Sequence, residues 1–524
     1  MKLTILETSD THGYIFPTNY QSRTELDGKF SLLRAKTFFD EVYEKNGRDA
    51  VLAVENGDTL QGSAFASYMT KERSPEHTVM FQKAYNALDY DFGVLGNHDF
   101  NYGQELLQAT FAAANRQLLN ANIIDQTTGE PFMGQAVAIV EKNGLKIAVI
   151  GVTTKYIPHW EDPVNIKNLE FLDVVETLKK VVAEVREKVD LVVVSYHGGF
   201  ERDLETGEPT ERITGENQGY AILEEVQGID VLLTGHQHRE MATTKNGVAI
   251  VQPGYQAKYV GVVEVEYEYD KVTGKNIIQE VTPKIVATGD FEPNKELHAE
   301  LSPMNEQVID WLDRPVGSLD RPLLFENGSK ARIEDHPYLN FVHQVQLAKT
   351  GADISAATII KEEAPGLPQQ VSKRDLLLNY PYSNQLVTVE ITGAQLRSIL
   401  EYTATFFVRN EKTGAIEFAE RFLKPKYQLY HFDSFYPVNY QIEVDQPLGA
   451  RVTELSFEGE PVQDEQKFSL AVSKYRAMGG GTYPVYPELT VTKEYDAEIT
   501  EIMEDYLREN STVVVDHRKN YKIK

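Results

Sequence analysis

The chain has 524 residues, 41% of them hydrophobic, which is enough for two or three separate cores. Its formal net charge is −27, from 79 acidic against 52 basic residues; that repels polyanions, argues against a surface that wraps DNA or RNA, and favours small substrates. There is no cysteine, so disulfide scaffolds and thiolate chemistry are excluded and any metal must sit on nitrogen and oxygen ligands.

Taken in chain order, Leu3–Ser9 reads as a strand ending at Asp10. That leaves no room for a signal peptide, and a cytoplasmic location is the expectation. No apolar stretch approaches the ~20 residues needed to span a bilayer, so no membrane partner is expected. The first half then alternates short β runs (Ala50–Glu55, Phe92–Leu95, Lys146–Val152, Leu191–Tyr196, Val231–Thr234, Ala249–Gln252) with helix-like spacing at Leu32–Glu44, Glu76–Leu88 and Leu172–Val189. Val262–Tyr269 continues as an alternating strand, and the pattern weakens through Asp270–Asp290. Glu292-Pro293-Asn294 opens a polar helical stretch, Lys295–Asp313, closed by Arg314-Pro315, which reads as a helical linker. Beyond about Arg321, helices (Pro337–Lys349, Gly393–Thr403) mix with strands (Val387–Thr392, Lys467–Val472). The expected organisation is α/β (α+β), with domains at 1–290 and 321–524 and a linker at 291–320.

Five segments place an oxygen or nitrogen ligand directly after a β run or beside a glycine: Asp10-Thr11-His12, Gly57-Asp58, Gly96-Asn97-His98-Asp99, His197-Gly198-Gly199 and Gly235-His236-Gln237-His238. In extended backbone, residues two apart point to one face, so Asp10 with His12, and His236 with His238, can reach one ion. A glycine before Asp58 lets the backbone turn sharply enough for a carboxylate to bridge two ions. Singly, each has an ordinary reading: a strand-end turn for Asp-x-His and Gly-Asp, a satisfied core histidine for His197. In sequence, all at strand ends, they specify a site for two divalent metals, and such a site usually performs phosphate-ester chemistry. Ligand loops at the carboxyl ends of strands are the expected place for it.

The order Asp-x-His, Gly-Asp, Gly-Asn-His-Asp, His and Gly-His-x-His resembles the calcineurin-like metallophosphoesterases. The resemblance implies a four-layer β-sandwich flanked by helices. It also implies one ion held by Asp10, His12, Asp58 and His238, and a second held by Asp58, Asn97, His197 and His236. Asp58 would bridge them, a bridging hydroxide would attack phosphorus, and His98 would protonate the leaving oxygen, with Asp99 and Asn101 beside it in the catalytic group. Mixed histidine, carboxylate and amide ligands suit Mn, Zn, Fe or Co comparably.

Asn379–Asn384, Val387–Gly393 and Ser473–Gly481 resemble the C-terminal domain of the 5′-nucleotidase family. That resemblance implies an α/β substrate domain in which Tyr382 and Tyr475 sandwich a nucleobase and Asn384 contacts it. Stacking suits any base, because each presents a π face. Gly479-Gly480-Gly481 is followed by no Gly-Lys-Ser/Thr, so it reads as a close backbone approach rather than a phosphate loop. Two departures bear on the substrate. Asn101 stands where members specific for 5′-nucleotides carry an Asp that orients the catalytic histidine; this form, with Val438-Asn439-Tyr440-Gln441-Ile442, looks more like the 2′,3′-cyclic-nucleotide 2′-phosphodiesterase/3′-nucleotidase branch. The family's Gly-rich phosphate-binding Arg run has no counterpart near Ala356–Lys361, which leaves Arg374 and Arg476 as candidate substitutes. The expectation is a dinuclear nucleotide phosphoesterase acting on 2′,3′-cyclic and 3′-nucleotides. The alternatives are a 5′-nucleotidase, a non-nucleotide phosphoesterase or a nuclease. A small-molecule nucleotide is expected as the partner, with no polymeric nucleic acid and no obligate protein.

Overall fold

The structure, a computed structural model, describes every residue except 24–27, 73, 160, 212, 382–383, 424–427 and 482. The chain divides into two compact units, Met1–Ile309 and Asp310–Lys524.

The first unit is built on two six-stranded sheets. One runs in the order Lys275–Ala287, Tyr259–Asp270, Lys2–Thr8, Val51–Glu55, Phe92–Gly93, Gln117–Leu118. The other runs Glu240–Lys245, Val248–Pro253, Val231–Thr234, Leu191–His197, Leu145–Thr153, Val137–Lys142. In the first sheet the strands from Lys2–Thr8 to Gln117–Leu118 pair parallel, and Tyr259–Asp270 and Lys275–Ala287 add antiparallel at the other end; in the second sheet the four central strands are parallel and the two edge strands antiparallel. Alternation along each strand sorts the side chains by face. Leu3, Ile5, Leu52 and Val54 of the first sheet meet Ile147, Val149, Val193 and Leu233 of the second in one buried core. The opposite face of the second sheet, Ile150, Val152, Val192 and Val194, is covered by Val174, Leu178 and Val182 of the helix Val174–Val185. The order is therefore helix, sheet, sheet, helix, with Leu32–Asn46 on the first sheet's side, where Phe39 meets Tyr90 at 5.6 Å.

Two elements differ from the sequence reading. The weak pattern at Asp270–Asp290 is a thirteen-residue edge strand, Lys275–Ala287, hidden because none of its residues is fully buried and a register shift opposite Glu266 and Tyr267 interrupts its alternation. The segment expected as a separate linker belongs to both units. Asn294, Asn305 and Gln307 bond to Leu33, Tyr20 and Tyr68 in the first unit, while Asp313 pairs with Arg374 in the second.

The second unit centres on a five-stranded sheet in the order Ser434–Tyr436, Ile354–Ala357, Lys467–Ser473, Gln385–Thr392, Val491–Glu498. Val387, Val389 and Ile391 pack with Leu396, Ile399 and Leu400 of the helix Gly393–Ala404. That helix starts where Thr392 and Gln395 form a reciprocal capping box.

Candidate metal centre and binding cavity

Five ligand-bearing loops leave the first unit's two sheets at the carboxyl ends of Lys2–Thr8, Val51–Glu55, Phe92–Gly93, Leu191–His197 and Val231–Thr234. Within each sheet these strands run parallel, so the ends that carry ligands share an edge. Two groups of side chains converge there: Asp10, His12 and His238, and Asp58, His197 and His236, each with ligand atoms within 4.8 Å of one another. His12 Nε2 lies 3.1 Å from His238 Nε2, and His238 Nε2 lies 3.4 Å from Asp10 Oδ1. His197 Nε2 lies 3.3 Å from Asp58 Oδ2 and 3.2 Å from Asn97 Oδ1, which is 2.8 Å from His236 Nδ1.

The nitrogens facing away from the cluster settle which ring atoms face in. His12 Nδ1 donates to the Gln61 carbonyl at 2.8 Å and His197 Nδ1 to the Asn56 carbonyl at 2.6 Å, leaving each Nε2 lone pair inward. His236 is reversed: Nε2 bonds Glu216 Oε1 at 2.8 Å, so Nδ1 faces in. His238 stacks on Tyr255 at 4.8 Å. Locked imidazoles with lone pairs converging on buried carboxylates and an amide oxygen are a donor set that fits divalent cations.

Without an ion, an inward nitrogen takes up a proton wherever the carboxylates outweigh burial, and a bound ion would displace it. Burial holds the His12 ring down to about 4 against the pull of Asp58. Burial also works against charge on His197, but Asp58 and Asp10 outweigh it and push the ring up to about 10. His238 is raised too, by its bond to Asp10, again against burial. The Asp58 carboxyl lies well below its usual range because His197, His98 and His12 overcome the cost of burying it.

Asp99, expected among the catalytic residues, has a different place. Its Oδ1 accepts from Thr59 N–H, Thr59 Oγ1 and Leu60 N–H, and its Oδ2 from Asp58 N–H and Gly96 N–H, at 2.9–3.1 Å. A fully buried carboxylate with both oxygens occupied ties two ligand loops together and has no lone pair left for a reaction. His98 N–H bonds Asp58 Oδ1 at 2.7 Å, while its ring Nδ1 bonds Asn101 Oδ1 at 2.8 Å. Asn101 in turn donates from Nδ2 to Glu161 Oε2 at 2.7 Å. Sequence reasoning missed Glu161 and Glu216, which lie in loops without periodicity, far along the chain from the groups they touch.

The second unit contains a cavity of about 900 Å³, lined in part by Tyr380, Asn384, Tyr430, Tyr475, Arg476 and Lys361. Tyr475 is 47% exposed, and its backbone N–H bonds Asn384 Oδ1 at 3.3 Å. Tyr382, the other expected ring, lies outside the described residues; Tyr430, which no motif marked, lines the cavity. The triple glycine is the close approach anticipated: a Cβ on Gly480 would fall 2.4 Å from the Tyr475 ring. Neither candidate arginine is available as a phosphate contact. Arg374 pairs with Asp313 at 2.6 Å and does not line the cavity. Arg476, 3% exposed, is spent on both oxygens of Asp433 at 2.9 and 3.0 Å and on the Gly480 carbonyl at 2.7 Å. Among the described lining residues, Lys361 is the cation whose side chain makes no ion pair.

Residues 3–240 match the calcineurin-like phosphoesterase family, and residues 315–488 match the 5′-nucleotidase C-terminal domain. A crystal structure of a Staphylococcus aureus protein, assigned as a 5′-nucleotidase, is 32% identical over 100% of both chains, with a TM-score of 0.78. The chain belongs to the 5′-nucleotidase family. Divalent metal ions are therefore implied for its calcineurin-like half. Within the family, the 2′,3′-cyclic-nucleotide 2′-phosphodiesterase/3′-nucleotidase of Salmonella typhimurium is 29% identical over 91% of this chain and 81% of its own length. The trifunctional nucleotide phosphoesterase YfkN of Bacillus subtilis is 26% identical over 99% of this chain, which spans 39% of that longer protein.

Proposed function

We propose that this protein hydrolyses nucleotide phosphate esters at a pair of divalent ions, with 2′,3′-cyclic and 3′-nucleotides ahead of 5′-nucleotides. The observation that carries this reading is the pair of ligand groups within reach of one histidine, His98, that belongs to neither. Asp10, His12, Asp58 and His238 would hold one ion, and Asp58, Asn97, His197 and His236 the other. Bound there, the ions supply Lewis acidity and an activated water. The chain's own residues do the rest. His12, His197 and His236 keep their lone pairs inward because Gln61, Asn56 and Glu216 take the opposite nitrogens. His98, bonded to Asp58 through its backbone N–H, presents Nε2 to protonate the leaving oxygen.

The substrate reading rests on the second unit's cavity. Tyr430 and Tyr475 offer aromatic faces to a base, Asn384 an amide, and Lys361 a positive charge to an anionic group. Asn101 in place of a carboxylate, and relatives named for cyclic and 3′-nucleotides, favour those substrates. The full-length likeness to a protein assigned as a 5′-nucleotidase supports 5′-nucleotides as the second reading.

Phosphate release with Mn²⁺ from a 5′-nucleotide, a 3′-nucleotide, a 2′,3′-cyclic nucleotide and p-nitrophenyl phosphate separates the readings. Alkaline phosphatase added after the cyclic reaction counts ring opening. Higher kcat/KM on the 3′ and cyclic esters is the expected result. A leading 5′-nucleotide moves the assignment to the second reading, and turnover of p-nitrophenyl phosphate alone overturns the nucleotide assignment.

A further inference from the structure

Asn101 faces His98 with an amide, and an amide has no fixed sense: reversed by half a turn, it offers N–H₂ where it had offered C=O. Something else must decide which end meets the ring. Glu161 is the group in contact with the amide's other end. It is 7% exposed, its Oε2 lies 2.7 Å from Asn101 Nδ2, and its Oε1 accepts from Asn165 Nδ2 at 2.8 Å and from Asp162 N–H at 2.9 Å. Asn165 Nδ2 also reaches the Asn101 carbonyl at 3.2 Å, so the loop carrying Glu161 is fastened to the residue it acts on.

We propose that Glu161 is a positioning residue that sets the sense of Asn101 and, through it, the proton on His98. An ionised carboxylate accepts and never donates. It therefore holds the amide N–H₂ toward itself and leaves Oδ1 for His98, so that Nδ1 of the ring must be the donor. When His98 gives its Nε2 proton to the leaving oxygen as the P–O bond breaks, the Nδ1 proton stays on the ring, held by Asn101, and the ring is left neutral. Were the amide reversed, its N–H₂ would confront the Nδ1 proton and disfavour the ring that acts as acid. Asn101 and Glu161 together thus do what a single carboxylate beside the histidine would do, with the charge moved one residue outward. This rests on the acid role of His98 stated above.

The test uses Glu161→Gln in the metal-loaded protein, which removes the charge and keeps the shape. A 3′-nucleotide leaves as an alkoxide that needs a proton; p-nitrophenyl phosphate leaves as a phenolate that needs little help. The expected result is a fall in kcat of about 10–100-fold on the 3′-nucleotide, with KM, bound metal and turnover of p-nitrophenyl phosphate nearly unchanged. Adding Asn101→Asp to the same chain restores the nucleotide rate, because that carboxylate accepts from Nδ1 without a relay. Equal loss on both substrates, no loss on either, or failure of the second substitution to rescue overturns the proposal. His98→Ala on the same two substrates checks the acid role separately: selective loss on the nucleotide upholds it, and equal loss removes it whatever Glu161 does. If Glu161→Gln does not fold, or the acid role fails, ¹⁵N NMR of the unsubstituted, zinc-loaded protein decides. A proton on His98 Nδ1 supports the proposal, and a neutral ring protonated on Nε2 alone overturns it.

Discussion

At the scale of single residues, the cost of building this site is written in the backbone. Asp10, His12, Asp58, His236 and His238 adopt left-handed conformations, with φ of 53, 49, 58, 68 and 57°. Each such residue costs about 1–3 kcal/mol and persists only where its surroundings over-determine it. The surroundings are visible: Asp10 N–H bonds the Gly57 carbonyl, His12 N–H bonds the Asp58 carbonyl, and His236 N–H bonds the Asp10 carboxylate. Gly57, at φ 89°, passes so near the neighbouring loop that a Cβ would fall 2.5 Å from Gly96 N. Gly57→Ala is therefore expected to lower bound metal and activity together, read by elemental analysis and turnover on one preparation; unchanged metal content would show that the loops have slack. Protonation gives a second prediction. In the metal-free protein His197 is pushed up to about 10, so at pH 7 an incoming ion displaces a proton that holds the same place; His238 is shifted in the same direction by Asp10, whereas His12, near 4, is already neutral. Metal affinity should rise with pH from 6 to 9, with roughly one to two protons released per chain at pH 7. Calorimetry in buffers of different ionisation enthalpy measures that number, and zero release contradicts the charge assignment.

At the scale of elements, parallel strands do most of the assembling, which is why so much of the site could be read from the sequence. Val51–Glu55, Leu191–His197 and Val231–Thr234 are short, apolar runs with no helical spacing, and a ligand at or just beyond the end of each falls where such strands place their loops. Groups defined by their partners were illegible. Asp99 looked reactive beside His98, but its carboxylate is consumed by loop N–H groups; Glu161, Glu216 and Tyr430 carried no motif because their roles exist only across the fold. Arg374 and Arg476 looked free in the sequence because Asp313 and Asp433, which neutralise them, lie 61 and 43 residues away. Two predictions belong here. Tyr430→Ala and Tyr475→Ala should each raise KM for nucleotides by about 5–100-fold, from the loss of one base stack, and leave p-nitrophenyl phosphate untouched. Lys361→Ala should raise KM on charged nucleotides while weakening binding of the uncharged nucleoside little; equal weakening of both would assign Lys361 a packing role.

At the scale of the molecule, chemistry and the aromatic cavity are divided between two units, each with its own core. The division allows the metals to stabilise one unit selectively, because ligands that bind only the folded state add to its stability. Chelation is expected to lower one melting transition by several degrees and leave the other in place, as read by differential scanning calorimetry; a single transition that moves as a whole would mean that the units unfold together. The net charge of −27 makes the site's local positive character depend on its bound ions.

The most direct test of the dinuclear account is a titration of chelated protein with Mn²⁺, followed by turnover of a 3′-nucleotide at each step. Activity should be absent without metal and reach its plateau at two ions per chain. Activity that survives chelation, or a plateau at one ion, would contradict it.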